Sequence, residues 1–402
     1  MAADARERIY WIDALKALVV VGIGLFHATL VFSPGSWVVN NAERSVVLGG
    51  FAAFTFQWGI ALMFVLAGAA TWFGLRSRGV RGFASARILR LGLPLLLGIA
   101  ILSPLQNYVE YNRPLELGGL LRNYVTFWGS VPITWSPASA YGYVYHLWFL
   151  SHLLAISLVT LPIAAWLRSA AGRRLVERLM PVAAAPGGLL LLGALPLAAV
   201  QMALHARFPS YQDWSDIAAW SVLYLGGFIL ISDRRFTEIL GRRGGEVLIA
   251  AAAASLLSSL LFLTGSVPAW DSHPEYSPGY LAYQALRSIN TWVWVLFFLY
   301  VGVRWLNSNN HLTSWGADMP MPFYVLSHPV LVVIAAYGVG SDVGLPAKFI
   351  GITLLSIGIT LVMCEGVRRS RVLRVVFGLS AVATGRHTAG PMVTGRPSLR
   401  PL

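Results

Sequence analysis

The sequence predicts an all-α, polytopic membrane bundle of about ten helices, and three observations lead there. Hydrophobic residues make up 56% of the 402 and charged residues only 12%, about half the charged share of an ordinary soluble domain. Apolar runs long enough to span a bilayer recur along the whole chain, separated by short polar or basic connections. With the N-terminus placed in the cytoplasm, all but six of the 30 Lys and Arg residues fall in alternate connections; the six are Arg44, Arg113, Arg122, Arg207, Arg287 and Lys348. Acids divide almost evenly between the two sides, so the bias is the positive-inside rule, which counts Lys and Arg rather than net charge. The net charge of +13 is therefore read as topology, and no nucleic-acid partner is expected.

Taken in order, the predicted spans are 15–34, 46–75, 88–107, 143–167, 181–204, 216–232, 246–265, 280–305, 320–339 and 345–367, with both termini cytoplasmic. The first is no secretory signal, because its core contains His27 and it is followed by Pro34, Trp37 and a polar loop. The second is long enough to tilt or to hold a break. The third opens on Arg87, Arg90 and Pro94, and the fourth on the run Tyr145 to Leu150. The fifth to eighth rest on hydropathy and flanking arginines alone. The ninth carries His328 and Pro329, and the tenth ends on Glu365 with Arg368 and Arg369 within a turn, a structural ion pair. Residues 1–377 form one membrane domain, and the small, polar and basic stretch 378–402 is expected to be a disordered cytoplasmic tail. The single Cys364 excludes disulfides and paired-cysteine zinc sites, and neither a metal nor a bound cofactor is expected. No G-x-S-x-G elbow, H-E-x-x-H pair or P-loop occurs.

An ionisable residue at membrane depth is a functional-site hypothesis by default. Asp13, Lys16 and His27 stand on the first span. Eleven positions at about 100° each return to nearly the same direction, so Lys16 and His27 share a helix face, with Asp13 about 40° away. His27 then lies about 16 Å deeper than Lys16, and an unprotonated imidazole there suits general-base work on a hydroxyl. Asp13 is too far along the helix to reach that ring and is assigned to positioning Lys16 or an arginine. Gly22 and Gly24 before His27 read as close helix packing, not a nucleotide loop. Arg87 and Arg90, three apart, present two guanidinium forks able to hold phosphate oxygens, although arginines at a cytoplasmic helix start also serve topology. His146 and Trp148 open the fourth span; His152 points elsewhere. Tyr324 lies one turn before His328, and Pro329 frees a backbone carbonyl that can line a cavity. The loop from Gln106 to Tyr143 is dense in aromatic residues beside amides and carboxylates, which suits a sugar and equally suits an interfacial belt.

Together these stretches resemble the acyltransferase family 3 of integral membrane proteins, over most of the chain. Lys16 to His27 resembles its basic-x10-His signature. Arg87, Arg90 and Pro94 resemble its Arg-x-x-Arg-x-x-x-Pro element, and Met63 to Gly68 its Phe-Phe-x-x-Ser-Gly stretch. Tyr145 to Leu150 and Tyr324 to Pro329 fit the later motifs. Phe26 to Glu43 and the His146 run are most similar to the glucans biosynthesis protein C branch, whose members succinylate periplasmic glucans. Lys16 stands where arginine is usual and loses the planar fork; Ala67 stands where serine is usual, which argues against an essential hydroxyl there. The resemblance implies O-acyl transfer from cytoplasmic acyl-CoA, succinyl-CoA or acetyl-CoA, to a hydroxyl of an extracytoplasmic glycan at a bacterial inner membrane. It implies His27 and His328 as catalytic residues, Lys16, Arg87 and Arg90 as acyl-CoA contacts, and His146 and Trp148 as acceptor contacts. A succinyl donor needs a further cationic contact, which the sequence does not locate. Other surface polysaccharides, lipids or metabolites stay open as acceptors, and a proton-coupled transporter using His27 as a relay is the reading from a different class.

Overall fold

The computed structural model describes residues 9–112, 116–129, 134–308, 313 and 318–380, and every regular element among them is helical. The predicted tail, apart from its first residues, lies outside the described residues. Helix α1 (Tyr10–Leu30) is unbroken. Helix α2 (Val46–Arg87) starts on Ser45, whose side chain accepts the Leu48 N–H. It passes through a π-helical turn at Ile88–Gly92 into α3 (Leu93–Tyr111). The 66 residues of Val46–Tyr111 would reach about 99 Å as one rod, some three times the hydrocarbon thickness, so they make two passes. The break is Gly79, at φ 68° and ψ −178°, a conformation that costs glycine alone little. Beyond it the chain returns on itself, bringing Arg87 against Thr71 and Phe83 against Gly74.

The aromatic loop contains α4 (Leu117–Thr126). The predicted fourth span is broken twice, into α5 (Tyr141–Val144), a 3-10 turn at Tyr145–Leu147, α6 (Trp148–Val159) and α7 (Leu161–Leu167). The fifth begins later than hydropathy placed it. Helix α8 (Ala170–Ala184) turns by 117° into α9 (Gly188–Leu204). On α8 the buried residues Gly172, Val176, Met180 and Ala183 recur every three to four positions, an amphipathic stripe rather than the start of a span.

The rest follows the predicted order: α10 (Trp214–Ser232), α11 (Arg234–Arg242), α12 (Gly244–Leu263), α13 (Ser266–Ser272), α14 (Pro278–Trp305), α15 (Pro320–Gly338), α16 (Leu345–Arg369) and α17 (Arg371–Val376). Asp213 and Asp233 cap α10 and α11, each accepting an N–H of the first turn. Helices α2 and α10 cross in direct contact. A Cβ on Gly68 would lie 1.8 Å from the Tyr224 carbonyl oxygen, and one on Gly227 would lie 2.0 Å from that of Val65. This is the physical reason for a small residue at the end of the Met63 to Gly68 stretch. A Cβ on Gly24 would lie 3.1 Å from the Phe323 ring, whereas one on Gly22 would meet nothing within 4 Å, so only the second of that pair serves close packing. Glu365 pairs with Arg368 and Arg369, both at 2.8 Å, as predicted. The first residues of the predicted tail are packed rather than loose: buried Arg374 pairs with Asp318 at 3.0 Å and donates to the Ser380 carbonyl at 2.7 Å.

Candidate functional site: three imidazoles around a membrane-depth cavity

Three histidines from distant parts of the chain meet. His27 comes from the last turns of α1, His146 from the 3-10 turn before α6, and His328 from the middle of α15. The His27 and His328 rings meet edge to face at 4.8 Å, and those of His328 and His146 stack at 4.9 Å with 4° between planes. Trp37 lies parallel to His27 at 6.2 Å and edge-on to His328 at 5.2 Å. His27, Trp37, His146, Trp148, Tyr324 and His328 all line one cavity of about 370 Å³.

The backbone around each ring explains its place. After α1 the chain turns through Pro34 and Gly35, the latter at φ 103°. The loop is then tied back by Asn41 N–H to Val31 O at 2.9 Å and Ser45 N–H to Phe32 O at 2.7 Å. The Asn40 side chain accepts the Trp37 N–H at 2.9 Å, and Arg44 donates to Ser33 O at 3.1 Å, so the Trp37 ring is held over His27. Tyr145 carries φ 46°, a costly conformation for an aromatic residue. Its hydroxyl donates to Glu110 at 2.9 Å and accepts from Asn107 at 3.1 Å. The strained turn redirects His146 into the bundle. Among the described residues only Tyr145 and Gln212 combine a side chain with positive φ; one precedes His146 and the other lines the cavity.

Pro329 has no N–H to give Val325, the residue one turn before it. That carbonyl accepts instead from His146 Nε2 at 2.9 Å, so Nε2 carries the ring hydrogen. His146 Nδ1 lies 3.0 Å from the side-chain amide of Gln106, and the Tyr324 hydroxyl donates to the His146 carbonyl. Helix α15 thus grips His146 by both backbone and ring. His27 and His328 are held differently: the Nδ1 atom of each is buried without a hydrogen-bond partner among the described residues. Buried polar atoms are nearly always paired, and unpaired ring nitrogens on a cavity wall are positioned to meet a ligand.

At the opposite end of α1, Lys16 Nζ lies 3.8 Å from Asp13. The unbroken helix keeps Lys16 on the His27 face, about 16 Å away along the axis. Arg87 donates to Thr71 Oγ1 at 2.9 Å and to Ala67 O at 3.4 Å, with its guanidinium 5.1 Å from the Phe83 ring centre. The Thr71 hydroxyl is in turn 2.5 Å from that of Tyr224. Arg90 sits on the π-helical turn and is exposed. Arg87 closes α2 and Arg90 follows it on the wider π-helical turn, and the two guanidiniums remain close enough to feel each other's charge. Arg78 joins them within coulombic reach of Arg90. His152 donates from Nδ1 to the Trp148 carbonyl at 2.7 Å and packs on Trp220, off the cavity, as its spacing predicts.

Sequence reasoning missed Trp37 as a wall of the site, Gln106 as the partner of His146, and Tyr211 and Gln212 as lining residues. The Pro34-Gly35 turn directly after the His27 helix was a usable signal for Trp37. Nothing local marks the other three. Of the aromatic loop, Tyr141 reaches the cavity, whereas Trp135 is 95% exposed. No group of three or more His, Cys, Asp or Glu among the described residues is placed to hold a metal ion.

The model of a family described as an acyltransferase domain, acyltransferase 3, matches residues 9–365. The chain is similar to glucans biosynthesis protein C of Salmonella schwarzengrund (strain CVM19633), with 24% identity over 395 residues, 94% of this chain and 96% of the relative. It is equally similar, 24% over 355 residues, to the proteins of that name from Salmonella paratyphi A and Salmonella typhimurium, with 84% of this chain and 86% of each relative covered. No solved structure matches the chain.

Proposed function

The chain belongs to the acyltransferase 3 family, and on that premise we propose that it carries an acyl group from cytoplasmic acyl-CoA to a hydroxyl of an extracytoplasmic glycan, at the inner membrane of a bacterium. The observation that carries the reading is the His27 ring, its Nδ1 without a hydrogen-bond partner among the described residues, on the wall of a cavity wide enough for a thioester and an alcohol together. The relatives named for glucan biosynthesis favour a periplasmic glucan as the acceptor. The acyl group is succinyl or acetyl.

In this mechanism Arg90, Arg87 and Lys16 hold the CoA phosphates at the arginine-bearing end of the bundle, and Asp13 keeps Lys16 in place. The pantetheine arm runs along the α1 face toward His27. His27 takes the proton of the acceptor hydroxyl as its oxygen attacks the thioester carbonyl. The new C–O bond forms and the C–S bond breaks, and the proton passes to the departing CoA thiolate. His328, in edge contact with His27, shares the proton or steadies the ring. His146 and Trp148 border the space for the acceptor.

The test uses the full chain in lipid nanodiscs with radiolabelled acetyl-CoA and succinyl-CoA and a β-glucan oligosaccharide. Transfer to the glycan is expected, and His27→Ala should lower kcat by about 10²–10⁴, the range for losing a general base. Folded His27→Ala protein that turns over near the normal rate removes His27 from the mechanism. A chain that neither binds nor consumes acyl-CoA overturns the donor assignment.

A further inference from the structure

Beside the imidazole cavity lies a second, smaller chamber, of about 80 Å³, between α2, α9, α10 and α14. Phe56, Ile60 and Tyr211 line both spaces, so the two adjoin across those side chains. The smaller one is the more polar in kind: its walls include Gln57, Gln201, Asp216, Arg287 and Thr291, with Trp220 as a flat side. Neither the aromatic loop nor the histidine motifs account for these polar residues among the packed helices.

Asp216 and Arg287 feel each other's charge, yet no ion pair within 4.0 Å joins them among the described residues. Each is held by other partners instead. Asp216 accepts the Gln212 N–H at 2.9 Å, with the Gln201 side chain beside it on the chamber wall. Arg287 donates to His205 Nε2 at 3.0 Å, which must be the acceptor because a guanidinium only donates. His205 in turn places Nδ1 against the Tyr280 hydroxyl. Gln201 is 7% exposed, and its Oε1 has no partner. Two opposite charges facing one buried space without touching, beside an unpaired amide oxygen, form a set of donors and acceptors awaiting a third party.

The chemistry of that set selects its ligand. A carboxylate could accept from Arg287 but would face the Asp216 carboxylate and the Gln201 oxygen with nothing to donate, and it would add a charge to a low-dielectric site. A neutral group bearing neighbouring hydroxyls donates to Asp216 and Gln201, accepts from Arg287, and leaves the net charge unchanged. The volume fits the edge of a sugar ring and not a whole one, while the rings of Tyr211 and Trp220, crossing at 84°, offer apolar faces to its C–H groups.

Building on the acyltransferase reading, we propose that this chamber is an acceptor subsite: it grips the hydroxyls adjacent to the one being acylated, through Asp216, Gln201 and Arg287, while the reacting hydroxyl lies in the imidazole cavity. Regioselectivity then follows, because the gripped hydroxyls fix which neighbour reaches His27.

The experiment compares acceptor and donor KM for Asp216→Asn, Gln201→Leu and Arg287→Gln in nanodiscs, with a β-glucan oligosaccharide as acceptor and acetyl-CoA and succinyl-CoA as donors. The acceptor KM should rise about tenfold to a hundredfold relative to the donor KM, as expected for lost hydrogen bonds to charged groups. Thr291→Met fills the chamber without disturbing a buried charge. It should give the same shift and guards against variants that fail to fold. A change in the ratio of succinyl to acetyl transfer with an unchanged acceptor KM would assign the chamber to the acyl group and overturn the proposal. Equal loss of all rates with both KM values unchanged would make the cluster purely structural and overturn it too. If the unaltered protein turns over acyl-CoA with water yet never acylates a glycan, the subsite falls while the donor assignment stands; if it consumes no acyl-CoA, both fall.

Discussion

The imidazole cavity and the arginine cluster are connected through α1 and α2, yet they are built on opposite plans. In the cavity the rings that border His27 and His328 are fixed by hydrogen bonds around them: Trp37 by the Asn40 and Arg44 loop, His146 by Val325 and Tyr324, and the turn before it by a strained Tyr145. At the arginine cluster only Arg87 is anchored, through Thr71, whereas Arg90 extends from a π-helical turn into open space. The contrast matches what each has to do. Chemistry at a reacting carbonyl needs groups placed to within a fraction of an ångström, while a flexible polyphosphate is captured by charge that can follow it.

This difference can be broken from either side. The largest effect is expected at the fixed end: His328→Ala should lower kcat by about 10²-fold, the lower bound for a group taking part in proton transfer. A loss below threefold in steady-state assays would reduce His328 to a wall of the cavity. Next comes the adaptable end, where Arg90→Glu should raise the KM for acyl-CoA about tenfold with little change in thermal stability. Arg87→Glu should raise the same KM and also lower the melting temperature, since it abandons Thr71 and the Ala67 carbonyl. Equal melting temperatures for the two variants would contradict the claim that only one is anchored.

Smaller effects sharpen the comparison. Trp37→Ala should cost the acceptor KM several-fold by freeing the His27 ring, and Trp37→Phe should recover most of it; if both variants match the unaltered protein, the stacking is incidental. Pro329→Ala restores an N–H one turn after Val325 and sets it in competition with His146 for that carbonyl. A few-fold drop in kcat with an unchanged donor KM is expected, and a change confined to stability would argue that the proline acts on the helix alone.

Among the spans, α12 and α15 show how far hydropathy reaches. Both are apolar and close to 20 residues long, yet 61% of the α15 window is buried inside the protein and only 17% of that of α12. Composition marked both as membrane-spanning and gave His328 and Pro329 as a reason to favour α15. The break at Gly79 falls in the basic connection predicted between the second and third spans, whereas the double break of the fourth span was less visible, because it depends on a few backbone torsions within an otherwise apolar run, and the turn from α8 into α9 moved the start of the fifth.

The sequence by itself determined that this chain is a helical membrane protein and which ionisable residues are anomalous in it, because burial in lipid is an additive property of about 20 consecutive residues. It also placed Lys16 and His27 on one face, since helical periodicity is local. Only the tertiary structure decided that His27, His146 and His328 touch, that Trp37 covers them, and that Arg87 is anchored on Thr71 while Arg90 is exposed on a π-helical turn. Those contacts join residues as far apart as Gln106 and His146, or His146 and Val325. Packing between helices depends on shape at each crossing, which no pattern along a single strand of sequence records.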